Sequence, residues 1–588
     1  MRPVRRYSGL TTLLLILVAI LTACGGAAST VAPSAAPSAA PSAAPSVAPS
    51  AAGSTAPTAA ASGAAATARP SVVAATPAAA ASASVPAAGG AGGGTLTGAF
   101  DVGPGGSPQG FNPLTQGAGF FWLEQYYSKL VLYDAGFTKI QGDLAESWEI
   151  SSDATQFTFK LRKGVTWHDG QPFTSEDVKF SIELFKNPES ASPYAPKYAD
   201  ITEIATPDPQ TAIIKLSKPN AAMLDAMTFV FMVPKHALSA IAPKDIVKNT
   251  WWSTSPIGTG PFKWSKYVPD QYVELVANDN YWRGRPKLDK LINRYFKEAG
   301  SALIALQRGE IQFVYVTADE SEIVKKDANL TLLPGPSQVI NYLQFNLKDP
   351  RLANPKVRQA FMYAIDRTAI VDQLFKGTAV VVPCVFDNKQ YIPTSGLNDY
   401  KRDVAKAKQL LQEANWASIK GEPIEVLTYY TDQLSNDVLV TIQQQLEEAG
   451  IAIKIRSVDV PTFNGLVSKP QPEFTAYYAG GQNGPDPDVT SIYFLSTATP
   501  PAGSNRGFYT NADVDKAYLD GRAEPDPTKR AVSYQNACKA LNNDVPWAPM
   551  WVTTRFGAVS KKVGNFVYTP SAGGGKFYNQ SELWTVAK

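Results

Sequence analysis

The sequence predicts an α/β fold, with sheets carrying helices on their faces, and three observations lead there. Between residues 156 and 162, Phe157, Phe159 and Leu161 alternate with Gln156, Thr158, Lys160 and Arg162, the period-two pattern of a half-buried strand. Further on, IEVLTYY (424–430), NDVLVTIQQQLEEAG (436–450) and IAIKIRSVDV (451–460) read as strand, helix and strand. Such a βαβ unit requires parallel strands. The third observation is size: the 494 residues from Thr95 onward exceed what one core supports, so the body divides into two or three lobes.

Taken in order, the chain opens with Arg2, Arg5 and Arg6, an uncharged apolar run from Leu10 to Leu21, and then small residues. That order marks a secretory signal peptide over residues 1–23, because the run is too short for a spanning helix, which takes about 20 residues. Leu21-Thr22-Ala23 before Cys24 resembles a bacterial lipobox, which implies cleavage before Cys24 and lipidation of its sulfur. Two or three acyl chains, at about 0.8 kcal/mol per buried CH₂, then anchor the protein to a membrane. The plainer reading is an ordinary signal peptide with an incidental cysteine. From Gly25 to Gly94 there is no Lys, Asp or Glu, and Pro33, Pro37, Pro41, Pro45 and Pro49 recur in an Ala/Ser background. With so little to bury, residues 24–94 are expected to be a disordered Ala/Pro/Ser/Gly linker that holds the body off the membrane.

The net charge of +3 belongs to the leader, whose arginines 2, 5, 6 and 69 leave the body 50 of the 54 basic residues against 51 acidic ones. A balanced body has no field to steer a nucleic acid, and none is expected as a partner. With Cys24 lipidated, Cys384 and Cys538 remain. An oxidising compartment permits a bridge between them, and the sequence leaves that open.

Within the body, FWLEQYYSKLVLYD (121–134) reads as a helix followed by a strand. SSDAT (151–155) turns the chain into the alternating strand, making a hairpin. A helix follows, with Thr174 as N-cap, Asp177 three residues on, and Val178, Ile182 and Phe185 on one face. ANPKVRQAFMYAIDR (353–367) opens another, with Asn354 as cap and Pro355 in the first helical position. His168 in TWHDG invites a catalytic or metal reading, yet the chain holds only two histidines and neither sits in a Cys/His cluster. A turn residue, with Asp169 and Gly170 reversing the chain, is the expectation. GTGPF (258–262) lacks the Lys-Ser/Thr of a phosphate loop and reads as a tight turn. No HExxH, GxSxG or kinase set occurs, so no enzyme, cofactor or metal is expected. Asp486 and Asp488 as a glycosidase dyad would need a separation that sequence does not give.

LAESWEISSDATQFTFKLRKGVTWHDGQPFTSEDVKFSIE (144–183) is the most specific of six stretches that together resemble one family. The others are PIGTGPFKW (256–264), NDNYWRGRPKLDKL (278–291), FNLKDPRLANPKVRQAFMYAIDR (345–367), AKQLLQEANW (407–416) and DPD (486–488). In that order they resemble bacterial extracellular solute-binding protein family 5, the dipeptide, oligopeptide and nickel type that serves ABC importers. The resemblance implies a periplasmic-binding-protein-like fold of the cluster C type, with two main lobes, a hinge and an inserted smaller subdomain. It assigns 95–136, 257–335 and 548–588 to a central lobe, 137–256 to the insertion, and 336–547 to the second ligand-binding lobe.

For the cleft, the resemblance points to YYAGGQNGPDPDVTSIYF (477–494), where peptide-binding relatives carry an amine-pairing aspartate shortly before Asp-Pro-Asp. Aligned on Asp486-Pro487-Asp488, this chain has Gln482 there, followed by Asn483 and an extra Pro485 that shifts the register by one. The usual tryptophan is missing, leaving Tyr477 or Tyr478. Because a buried ammonium without a counter-charge is strongly disfavoured, either Asp486 or Asp488 takes over the pairing or the ligand has no free amine. A solvent-facing turn is the plain alternative for both acids. Gln116, Phe120 and Phe121 in LTQGAGFFW (114–122), and Trp547, Met550 and Trp551 in VPWAPMWV (545–552), complete the expected contacts, though such aromatics serve a core as readily. The implied function is a lipid-anchored monomeric receptor that closes on a short peptide and presents it to an ABC permease with cytoplasmic ATPase subunits. Gln482 motivates an oligosaccharide or another neutral solute as the alternative. So few His and Cys residues argue against a nickel or haem cargo, and a secreted hydrolase or surface adhesin is the remaining contrast.

Overall fold

The computed structural model describes residues 93–102, 111–115, 120–190, 192, 195–471, 473–482, 484–500, 503–569 and 578–587. The expectations for the leader, Cys24, the linker, Gln116 and Asn483 lie outside these residues, as do the side chains of Phe120, Phe121 and Gln482.

Two long strands, Leu330–Phe345 and Trp547–Ser560, organise the body. They pair antiparallel with each other through most of their length and sit at the middle of an eleven-stranded sheet. Their first shared half, Leu330 to Pro336 against Ser560 to Thr554, continues through Phe313–Val316, Thr95–Val102, Lys290–Phe296, Tyr272–Ala277 and Phe262–Val268. Their other half continues on the opposite side, from Val339–Phe345 to Ala476–Gln482, then Ile424–Thr428 and Ile453–Ser457. Between the halves the register shifts at Pro336 to Ile340, and Gln338 takes a left-handed φ of 55°. Left-handed backbone is costly for a residue with a side chain. The PGPSQ segment therefore breaks the strand where one lobe's sheet passes into the other's. On the partner strand the change falls at Val552 to Thr554.

The βαβ reading holds in detail: Ile424–Thr428 and Ile453–Ser457 pair in parallel around the helix Gln433–Glu448, and Gly450 leaves it at φ 89°. The hairpin 145–161 forms, within a four-stranded antiparallel sheet that adds Thr211–Leu216 and Ile201–Asp208. Helix Ser175–Lys186 packs on it, and the Thr174 N–H donates to the Asp177 carboxylate at 3.0 Å. This insertion has no separate core. Its Phe157, Phe159, Val178 and Ile182 belong to the same buried cluster as Leu96, Leu291 and Phe313 of the central lobe. The second lobe has a cluster on each face of its sheet, one around Leu343, Phe361 and Trp551, the other around Tyr342, Tyr477 and Trp547. In the latter, Cys384 and Cys538 form a disulfide across 154 residues of sequence, with Cα atoms 5.7 Å apart.

Candidate ligand-binding site

Two chambers, each of about 230 Å³, open along the junction. The hinge chamber is bounded by Ser337, Asn341, Thr553 and Arg555 of the crossover strands and by Tyr430 and Tyr478 of the second lobe. Asn341 Nδ2 donates to Tyr430 Oη at 3.2 Å, and the hydroxyls of Ser337 and Thr553 lie 3.2 Å apart across the two strands. Beside it the strand Ala476–Gln482 is paired on one edge by Val339 to Phe345 as far as Gln482, but on the other by Ile424–Thr428 only as far as Tyr478. Past that point the backbone N–H and C=O of Gly480 face only Tyr429 Oη, at 3.4 Å each. That one hydroxyl caps the edge at Gly480, and once it is displaced the edge is a template for another extended chain. Glycine is required at 480, because a Cβ would lie 2.5 Å from Tyr430 Oη and 2.8 Å from Val339 Cγ1.

The second chamber lies between the insertion and the second lobe. Lys197, Asp200, Asn220 and Asp225 line one side, and Asp488, Ser491 and Arg522 line the other. The two sides meet where the Ala221 N–H donates to the Arg522 carbonyl at 2.6 Å. Asp486, at the N-cap of the turn Pro487–Thr490, binds the Arg530 guanidinium through both oxygens, at 2.7 and 2.8 Å. Arg530 is fixed in turn by the Gly521 carbonyl and the hydroxyls of Tyr391 and Tyr534. Asp488 takes Arg522 Nε at 3.1 and 3.2 Å, and Arg522 Nη2 donates to Ser491 Oγ at 2.7 Å. Asp225 receives the Tyr133 hydroxyl at 3.0 Å. Burial, reinforced by the Asp486 charge, pushes its pKa up to about 7.

These positions decide what the expected contacts do. Asp486 and Asp488 are brought to the junction, but each carboxylate is already matched by an arginine. Tyr478 lines the hinge chamber, and Gln482 ends the open edge. Tyr477, Trp547, Met550 and Trp551 are placed in the core: all are at most 1% exposed, Trp547 stacks on Tyr342 at 3.7 Å, and Trp551 packs on Phe375. Phe120 and Phe121 open the helix Phe120–Tyr126. Tyr430, Asn220, Asp225, Arg522 and Arg530 escaped sequence reasoning. For Asp225 a signal existed, a lone acid within the apolar MLDAM, whereas the arginines sit on helices 512–523 and 527–544 with no local mark of their partners.

Residues 139–501, more than half the chain, match the profile of bacterial extracellular solute-binding proteins, family 5 Middle. The chain belongs to this family. A Brucella melitensis member, provisionally named an ABC transporter peptide-binding protein, is 46% identical over 84% of this chain and 94% of its own length. Among solved structures, the Bacillus subtilis oligopeptide-binding protein AppA in complex with a nonapeptide superposes with a TM-score of 0.71 at 26% identity, covering 85% of this chain and all of that one. NikZ from Campylobacter jejuni, in complex with Ni(L-His), gives 0.71 at 27%, covering 84% and 99%. The family 5 fold is thus the α/β, two-lobed one expected from sequence, and its role is solute binding for ABC transporters outside the cytoplasm. Among the described residues no helix is long and apolar enough to cross a membrane.

Proposed function

We propose that this family 5 protein captures short peptides in the cleft between its lobes and hands them, chemically unchanged, to an ABC permease driven by cytoplasmic ATPase subunits. It works as a monomer, tethered through lipidated Cys24 to the outer face of the cytoplasmic membrane by the linker 24–94. One observation carries the peptide reading: the open edge at Gly480 to Gln482 beside the hinge chamber. Main-chain groups there match an extended peptide whatever its sequence, which suits a carrier of varied cargo. The Brucella and Bacillus relatives, named for peptide binding, support the same reading. Of the expected contacts, Tyr478 lines the hinge chamber and the main chain of Gln482 ends the edge beside this cargo, and Asp486 and Asp488 act through the arginines they hold. Closure follows because a ligand that touches both lobes binds the closed state better, and shifts the equilibrium by that difference.

The test is a thermal-shift series on the full-length protein with di- to pentapeptides, oligosaccharides and a nickel-histidine complex. A peptide at a hundred times its Kd adds about 2.7 kcal/mol of stability. Replacing one central amide by an ester is expected to weaken it, because the edge loses a main-chain donor. Stabilisation by sugar or nickel-histidine alone would overturn the peptide assignment.

A further inference from the structure

Tyr429 is the first residue beyond the strand Ile424–Thr428, and its side chain stays on the sheet edge that its backbone has left. Pairing ends at Thr428 opposite Tyr478. There the chain turns away, with the Val458 N–H donating to the Thr428 carbonyl at 2.9 Å and the Tyr430 N–H to Thr428 Oγ1 at 3.2 Å. The Tyr429 hydroxyl then accepts from the Gly480 N–H and donates to the Gly480 carbonyl. Because a hydroxyl both gives and takes a hydrogen bond, this single group stands in for both the acceptor and the donor that an added strand would bring to Gly480. It does so weakly: each contact is 3.4 Å, beyond the roughly 2.5–3.2 Å of well-made bonds. The ring is half-buried, edge-on to Phe463 at 4.9 Å and tilted against Tyr430 at 4.6 Å.

We infer that Tyr429 is a gate on the cargo's main-chain site: its hydroxyl covers Gly480 in the empty protein, and an extended peptide displaces it to pair with the edge. This deepens the peptide reading and rests on it. Capping denies the empty edge to a strand of another protein, which an unpaired edge invites. It also makes cargo compete. A peptide main chain offers a donor and an acceptor at the spacing of a strand, so it replaces two long bonds with two well-made ones, whatever its side chains. The apparent affinity is lowered by the fraction of molecules whose gate stands open, and removing the gate restores it.

The experiment uses Tyr429→Phe in the full-length protein, which removes the hydroxyl and keeps the ring against Phe463 and Tyr430. Amide hydrogen exchange of the unliganded protein reads the cap: the Gly480 amide is expected to exchange about three- to tenfold faster in the variant than in wild type. Tetra-alanine is expected to slow it in both. Stopped-flow binding of tetra-alanine reads the displacement. The variant is expected to bind about three- to tenfold more tightly, through faster association at an unchanged dissociation rate, because a lost competitor leaves the bound state as it was. Equal Gly480 exchange in the two proteins would overturn the cap. A tyrosine that serves only packing would leave the association rate unchanged, and one that stays to contact the cargo would make dissociation faster and binding weaker; either result would overturn the gate. If wild type binds no tetra-alanine, the peptide reading falls and takes the displacement with it, while the exchange rates still decide whether Tyr429 caps the edge.

Discussion

Both ring nitrogens of His168 are committed: Nδ1 accepts from the Gly258 N–H at 3.1 Å, so Nε2 carries the proton and donates to the Gly260 carbonyl at 3.1 Å. The ring stitches the GTG turn to the loop before the insertion's first helix, and a Cβ at Gly258 would strike the Tyr126 carbonyl. Burial, and secondarily the Lys263 charge, hold the His168 pKa down to about 4. A histidine kept neutral in the folded state contributes stability that is complete above its unfolded pKa of about 6.5 and is lost as pH falls from there towards 4, about 3 kcal/mol in all. Urea midpoints measured from pH 7 to 4.5 are expected to fall accordingly, and His168→Gln to flatten that part of the profile; an unchanged profile would remove His168 from the account. A turn role was legible from TWHDG, as was the Thr174 to Asp177 cap, because both depend on neighbours in sequence. The pairing of Asp486 with Arg530 was not, since 44 residues and two helices separate them and nothing local to either names the other.

At the scale of elements, periodicity was enough wherever a segment sits half-buried on its own sheet. The helix opened by Asn354 and Pro355 runs from Pro355 to Ala364, and the Asn354 side chain accepts from the Lys356 N–H at 3.0 Å. What no pattern announced is where a strand's partner stops. Nothing within YYAGGQ says that Ile424–Thr428 ends its pairing at Tyr478, yet that ending creates the open edge. Gly480→Ala tests the edge directly. The added Cβ would push on Tyr430 Oη and Val339, break the Asn341 to Tyr430 hydrogen bond and narrow the hinge chamber. Overpacking of this kind costs about 1–3 kcal/mol. The expected outcome is a lower urea midpoint together with a loss of peptide affinity that His168→Gln, at the same loss of stability, does not show. Equal peptide affinity in wild type and Gly480→Ala would place the cargo elsewhere.

For the whole molecule, chain length called for more than one lobe, but the shared core of insertion and central lobe arises from segments far apart in sequence and was not legible. The same long-range assembly links closure to pH. Asp225 belongs to the insertion, whereas Asp486, Arg530 and the Arg522 carbonyl that receives the Ala221 N–H belong to the second lobe, so closing brings Asp225 into its charged, buried setting. An acid whose pKa rises on closure to about 7 takes up a proton as the lobes meet. Closure is then opposed most above pH 7, where Asp225 must be buried ionised. It gains up to about 1.4 kcal/mol per pH unit as pH drops below 7, until the open state's carboxyl protonates as well. X-ray scattering of the unliganded protein is expected to show a smaller radius of gyration at pH 5.5 than at pH 8. Asp225→Asn, which carries no charge to bury, is expected to be equally compact at both. A pH-dependent radius that persists in Asp225→Asn would assign the linkage to another group.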